Sequence, residues 1–350
     1  MKNYRFSVMP ALVVIGLLAL TNPIVEACTR VVYQGLNETV LTARSMDWKE
    51  DMKTNLWIFP RGMQRNGAVG AKSLKWKSKY GSVIASAYDN STTDGMNEMG
   101  LSANILWLAE SEYPKWDQKK PGLTIAAWAQ YVLDNFATVQ ETVNDLKNET
   151  FTVVTDKMPG GESLATLHLS VSDASGDSAI FEYIGGRLVI SHNRSYQVMT
   201  NSPIFEKQLA MNEYWKEIGG TVMLPGTNRA ADRFARASFY INAIPKVDDT
   251  RIAVASVFSV IRNVSVPFGI ATPDHPNISS TRWRTVADHK NKVYFFESAL
   301  TPNVFWVNFK NIDFSETAKV KKLDLSNNRV YSGNTAGLFE GATPFRFQGL

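Results

Sequence analysis

The chain has one cysteine, Cys28, and it stands where an apolar N-terminal segment ends. Lys2 and Arg5 precede an apolar run over residues 8–20, and Val25 and Ala27 supply the small residues that a signal peptidase cuts behind. Removal of residues 1–27 would make Cys28 the first residue of the mature chain, with a thiol and a free α-amine on the same residue. The amine, with a reference pKa of about 8, can take the thiol proton near neutral pH, so one residue holds both nucleophile and base. Two other readings compete. A lone cysteine is commonly a small buried hydrophobe, although a new chain terminus is a poor place to bury one. A lipoprotein would carry an acyl anchor on the thiol and bind rather than cleave, but Glu26 stands where such a processing site has a small or apolar residue.

With no second cysteine there is no intramolecular disulfide, so an exported chain must hold itself together by packing. Hydrophobic residues make up 44% and charged residues 20%, which suits a globular protein with a substantial core. The formal charge of +4 is too small, and the Lys and Arg too dispersed, for a nucleic-acid partner. Residues 8–20 are too few for a membrane span of about 20 residues, and no later segment replaces them. The expected location is periplasmic or secreted.

Short runs rich in Val and Thr at 29–33 and 39–43 flank Gly35-Leu36-Asn37 and predict a hairpin, so the mature terminus begins inside a sheet. Further strands are expected at 55–60 and 81–87, with 61–79 between them as an exposed Gly- and Lys-rich connection. Residues 92–100 read as turn-rich and lead into a buried strand over 101–108. The spacing of Ile125, Trp128, Val132 and Phe136 predicts a helix, followed by another over 138–146, with Asp134 and Asn135 capping at the break. Strands return at 164–172, 179–184 and 187–191. Helices follow around 205–218, 230–244 and 253–263, and then strands at 282–287, 292–298 and 304–309. Runs of strands separated by runs of helices indicate an α+β fold with antiparallel sheet, as one domain over 28–350 with a loosely held tail at 326–350.

His168, His192, His275 and His289 are scattered, and no His-Glu-x-x-His, dinucleotide fingerprint or Walker loop is present. Neither a metal nor an organic cofactor is expected. What remains is Arg44-Ser45-Met46-Asp47-Trp48, one hairpin's length after Cys28. Pairing of the two strands would bring these side chains beside the thiol. Asp47 could then accept from the α-amine, and Arg44 could favour the thiolate or an anionic intermediate. Taken alone, both read better as ordinary surface charges.

Those segments are joined by Asp94-Gly95-Met96-Asn97-Glu98, Thr200-Asn201-Ser202-Pro203, Leu224-Pro225-Gly226-Thr227-Asn228 and Asp232-Arg233-Phe234. Together they give the chain, from Cys28 to about Asn311, a sequence that resembles the choloylglycine hydrolase family. These are linear-amide hydrolases that include penicillin V acylases and conjugated bile salt hydrolases. The likeness is strongest to the Gram-negative penicillin V acylases, over residues 55–60 and 107–111. The resemblance implies an N-terminal nucleophile hydrolase fold, a four-layer αββα sandwich of two antiparallel sheets between helices. It also implies a homotetramer with no metal or organic cofactor. Residue by residue, it makes Cys28 the nucleophile and, through its amine, the general base. Arg44 and Asp47 match residues beside that nucleophile, Asn201 matches the side-chain donor of an oxyanion hole, and Arg233 matches an arginine that orders the site. At the second oxyanion position, where bile salt hydrolases often carry Asn, the resemblance places Trp107, so that donor would be the Trp107 backbone N–H.

The expected activity is hydrolysis of a small-molecule linear amide through an acyl-enzyme on Cys28. Trp48 and Trp107, as two indoles lining an acyl pocket, suit the flat phenoxyacetyl group of penicillin V, or the chain of an acyl-homoserine lactone, better than a bulky steroid. Conjugated bile salt hydrolysis is the competing activity, and a lipid-anchored binding protein is the competing class.

Overall fold

The computed structural model describes residues 28–158, 164–270, 279–327 and 329–350, and the chain enters a sheet at once. Residues 1–27, the expected signal peptide, lie outside the described residues. β1 (Thr29–Gln34) turns through Asn37 and Glu38, with φ of 49° and 60°, into β2 (Val40–Trp48). Two consecutive residues with positive φ match the right-handed twist of the paired strands. β2 is buried along its whole length because β1 flanks it on one side and Ser280–Asp288 on the other, with both of its faces covered.

The seven-stranded sheet runs in the order Val198–Thr200, β1, β2, Ser280–Asp288, Val293–Ser298, Val304–Asn308 and Gly333–Asn334. It is antiparallel except for its last pair. A nine-stranded antiparallel sheet faces it, in the order Arg187–His192, Ser178–Ile184, Leu167–Ser172, Ser102–Trp107, Ser91–Asn97, Ser82–Ala87, Leu56–Phe59, Lys321–Leu323 and Glu340–Gly341. α1 (Trp128–Asn135) and α2 (Val139–Leu146) pack on the nine-stranded sheet. α4 (Ala230–Ala243) and α5 (Thr250–Asn263) pack on the seven-stranded one, with α3 (Phe205–Ile218) against α4. This is the expected four-layer αββα sandwich.

The two sheets meet through polar groups as well as apolar ones. Arg30 Nη1 donates to Ser178 Oγ at 3.0 Å, Thr42 and Ser172 hydroxyls lie 2.8 Å apart, and Thr285 Oγ1 donates to Asp94 Oδ1 at 3.3 Å. A buried polar group without its partner costs about 1–3 kcal/mol, so these bonds fix how one sheet sits on the other.

Several expectations change. Residues 61–79 form an ordered hairpin, Gln64–Asn66 with Lys75–Lys77, in which Arg65 and Trp76 point inward. Both meet Asp134, at 3.4 Å from Arg65 Nε and 2.8 Å from Trp76 Nε1. Asp134 is therefore a buried anchor and not a cap. The cap of α2 is Thr138, which accepts from Glu141 N at 3.2 Å. The stretch over 92–100 is largely strand, Ser91–Asn97, where Gly95 permits close packing: a Cβ there would lie 2.7 Å from Ile84 and 3.0 Å from Leu133. The C-terminal tail, expected to be loose, is packed. Phe345 sits edge-on to Trp57 and Phe59 with ring centroids 5.3 and 5.6 Å away, and the Arg65 guanidinium lies 5.6 Å from the Phe347 ring.

Candidate active site

Cys28 immediately precedes β1 and is 3% exposed. The period of two along β2 sends Arg44, Met46 and Trp48 towards the facing sheet and Ser45 and Asp47 towards α4. The Cys28 thiol thus meets the side chains of Arg44 and Met46 but the backbone of Asp47. The Asp47 N–H donates to Sγ at 3.5 Å, Arg44 Nη2 lies 3.7 Å from Sγ, and Met46 Sδ is 3.9 Å away. Burial pushes the thiol pKa up, and although Arg44, the Asp47 N–H and Arg233 act in the opposite direction, burial wins. The thiol therefore needs a base to remove its proton.

Arg44 is held mainly through Nη2. Nη2 donates to Ile105 O at 3.0 Å, Nη1 pairs with Asp94 Oδ2 at 3.8 Å, and the guanidinium lies 4.6 Å from the Trp283 ring. Asp94 is itself fixed by Asn104 Nδ2 at 2.7 Å and by the Tyr294 hydroxyl.

The strand Val198–Thr200 pairs with β1 so that Thr200 faces Thr29, which leaves Asn201 beside Cys28 just past the last pair. Register alone thus brings together residues 173 positions apart, and Cys28 N donates to Asn201 Oδ1. Asn201 Nδ2 donates to Trp107 O at 2.8 Å, leaving one N–H of the amide for another acceptor. Pairing between Ser91–Asn97 and Ser102–Trp107 ends at Asp94 and Asn104, so the backbone edge of Trp107 lies beyond the ladder and faces Asn201.

Arg233, from α4, is fully buried and joins these parts. Nη1 donates to Cys28 O at 2.8 Å and to Thr29 Oγ1, Nη2 donates to Asn201 Oδ1 at 3.3 Å, and Nη1 lies 3.8 Å from Asp47 Oδ2. Asp47 also accepts from Thr281 Oγ1 and, at 3.3 Å, from Ser45 Oγ. Burial raises its pKa from 3.8 to about 6, against the pull of Arg233. The contact expected between the Asp47 carboxylate and the Cys28 nitrogen is made by Asn201 Oδ1, because residues 44 and 47 on one strand lie on opposite faces.

Trp48 and Trp107 both line a pocket that also reaches Cys28, Arg44 and Met46. Their rings are 5.8 Å apart and tilted by 54°, and Trp48 Nε1 donates to Tyr88 OH at 3.2 Å. Met52, Ile105, Ile125, Met158 and Leu167 complete an apolar lining. All seven residues singled out from the sequence gather around this pocket or its buried flank. Three that support them were not singled out. Asp94 and Met46 lie in motifs of the sequence that give them no role, and Thr281 meets Asp47 through a strand pairing that no local pattern reveals.

Residues 28–328 match the linear amide C–N hydrolases of the choloylglycine hydrolase family. The chain belongs to this family. As a member it is a hydrolase of linear amides. It is similar to the penicillin V acylase of Pectobacterium atrosepticum, at 57% identity over 96% of each chain. The solved penicillin V acylase from Agrobacterium tumefaciens matches with a TM-score of 0.87 and 67% identity, covering 92% of this chain and 100% of that one. A variant of the conjugated bile acid hydrolase from Clostridium perfringens shares the fold, with a TM-score of 0.73 at 22% identity over 85% of this chain and 96% of that one.

Proposed function

We propose that this family member is a penicillin V acylase-like amidase acting through an acyl-enzyme on Cys28. The observation that carries the reading is the meeting of the Cys28 thiol, the Cys28 nitrogen and Asn201 at an apolar pocket walled by two tryptophans. Export and cleavage before Cys28 free the α-amine, a step supported by the N-terminal pattern and by a family match that begins at residue 28. Held by Asn201 Oδ1, the amine takes the thiol proton and Sγ attacks the acyl carbon. The carbonyl oxygen becomes an oxyanion beside the remaining Asn201 Nδ2 hydrogen and the Trp107 backbone N–H. The ammonium then protonates the leaving nitrogen as the C–N bond breaks, leaving a thioester. Water attacks the thioester and gives its proton to the amine, and the thiol is restored as the acid departs. Arg44 and the Asp47 N–H support the thiolate, while Arg233, balanced by Asp47, holds Cys28 and Asn201 in register.

The same reading has the mature enzyme periplasmic or secreted and assembled as a homotetramer, with acyl-homoserine lactones as further substrates. Its test is a side-by-side assay of penicillin V, a taurine-conjugated bile salt and a long-chain acyl-homoserine lactone on one preparation. Penicillin V or the lactone should show the higher kcat/KM, and a preference for the bile salt would overturn the substrate assignment. Mass spectrometry of the native N-terminus should show an unmodified Cys28, whereas a diacylglyceryl mass would end the enzyme reading. Light scattering of the purified protein tests the tetramer.

A further inference from the structure

The pocket has a wall that the catalytic reading leaves unexplained, and it is closed by the end of the chain. Gln348 lines the pocket together with Asn90, Thr124 and Lys157, from three segments far apart in sequence. Its backbone N–H donates to Asn90 O at 2.9 Å, and its carbonyl accepts from Thr124 Oγ1 at 2.6 Å. Its side chain does the same again: Oε1 accepts from Asn90 Nδ2 at 3.2 Å, and Nε2 donates to Lys157 O at 2.6 Å. One residue thus ties the turn before Ser91–Asn97, the strand Gly122–Thr124 and the segment after Thr152–Val154 into one surface. The tail that presents it is seated on either side, by Phe345 and Phe347 on the aromatic cluster and by Gly349, where a Cβ would lie 1.7 Å from Ala68 O.

We infer that Gln348 is a specificity-determining positioning residue, a clamp that fixes the size of the acyl pocket. Both ends of its carboxamide are engaged by protein, so it acts through the wall it holds and not as a ligand for substrate. With the clamp intact the pocket keeps a compact shape that holds a small acyl group tightly. With its side-chain bonds released, the Asn90 turn and the Lys157 segment move apart while the backbone bonds to Asn90 and Thr124 stay, so small groups lose contact and longer ones gain room. This inference rests on the proposed Cys28 acyl-transfer reading and concerns the same pocket.

The test compares the parent enzyme with Gln348→Ala and Gln348→Met on a series of acyl amides of one common amine, from phenoxyacetyl to dodecanoyl. Phe345 and Phe347 stay seated in both variants, and a melting curve on each preparation separates a loosened wall from a lost fold. Both variants should raise KM for the phenoxyacetyl amide about three- to tenfold with kcat little changed, and should shift the preference towards longer chains. Methionine fills the space of glutamine and keeps its backbone bonds, but lacks the two made by the carboxamide. A parental profile in Gln348→Met would therefore mean that volume and not clamping matters, and would overturn the proposal. An unchanged acyl preference in folded Gln348→Ala would do so too, as would a fall in kcat at constant KM. A parent enzyme inactive on every amide in the series would break the acyl-transfer reading instead.

Discussion

Around Cys28 the pocket is built from sheet positions. Asn201 faces it across one strand pair, Asp47 and Arg44 come from the neighbouring strand, and Arg233 reaches in from a helix packed on that sheet. Around Gln348 the wall comes from a turn, a short strand, a loop and the chain terminus. The first region buries four charged or strongly polar side chains, where a displaced partner would leave an unpaired group at a cost of about 1–3 kcal/mol or more. The second sets apolar side chains such as Ile125 and Met158 beside the hydrogen-bonded set of Asn90, Thr124 and Gln348. A hydrolase that must keep its chemistry while changing its substrate gains from this division, because loops can alter the shape of the wall without disturbing the register that aligns the proposed nucleophile and oxyanion donors.

The comparison predicts that damage on the sheet side acts on kcat and damage on the loop side on KM. The largest effect should come from the nucleophile. A form retaining Met before Cys28 keeps the thiol but turns the amine into an amide, and its turnover should fall by about four orders of magnitude or more, as should that of Cys28→Ala. Single-turnover assays with penicillin V, on protein whose terminus is verified by mass, would check this. Activity in the blocked form would remove the basis for calling the sheet side catalytic. Next, Asn201→Ala should lower kcat about a hundredfold while leaving KM within a few-fold, since it removes a donor that matters once the oxyanion forms.

Much of the sheet side was legible in the sequence and little of the loop side was. The pairing of residues 29–33 with 39–43 follows from local alternation and a tight turn, and it fixes which side of Cys28 receives Arg44. The same alternation, carried three residues further, would also have turned the Asp47 side chain away from the nucleophile, a step that matching motifs alone does not make. Asn201 and Arg233 were reached only through family resemblance, because a contact across 173 positions leaves no local trace. The tail misled for a compositional reason. Its polar residues suggested looseness, yet two phenylalanines spaced two apart suffice to seat it on an aromatic cluster. The same bias towards composition hid the strand over Ser91–Asn97 behind its Thr and Gly content.

A smaller effect separates Asp47 from the residues it supports. Its pKa is raised from 3.8 to about 6 by burial, so the carboxylate is neutralised as pH falls through about 6 and Arg233 loses its counter-charge. In the proposed mechanism the Cys28 amine must be unprotonated to act, which makes kcat/KM fall with acid from about pH 8. Below about pH 6 the fall should steepen to second order in protons, and Asp47→Asn should keep the single-proton slope. Stability runs the other way. A carboxyl that binds its proton more tightly when folded contributes most below the unfolded range near pH 4, and that contribution is lost as pH rises through about 6. Melting temperatures of parent and Asp47→Asn should therefore differ in pH dependence between about 4 and 6. Parallel curves would show that this carboxylate is not the group titrating.

The smallest effect should belong to Trp107, the residue that serves both regions. Its carbonyl anchors Asn201, while its half-buried ring faces Trp48 at 5.8 Å in the apolar wall. Trp107→Ala deletes the ring and keeps the backbone, so the proposed oxyanion donors survive. An aromatic contact contributes about 0.5–1.5 kcal/mol beyond burial, which corresponds to a rise in KM for penicillin V of about two- to tenfold. A flexible acyl chain, which fills the gap by bending, should lose less, and a conjugated bile salt should gain relative to both as the pocket widens. Measuring kcat and KM separately for the three substrates decides the matter. A drop in kcat as large as that of Asn201→Ala would show that the indole, and not only its backbone, holds the oxyanion hole in place, and would move Trp107 from the wall to the catalytic side of the comparison.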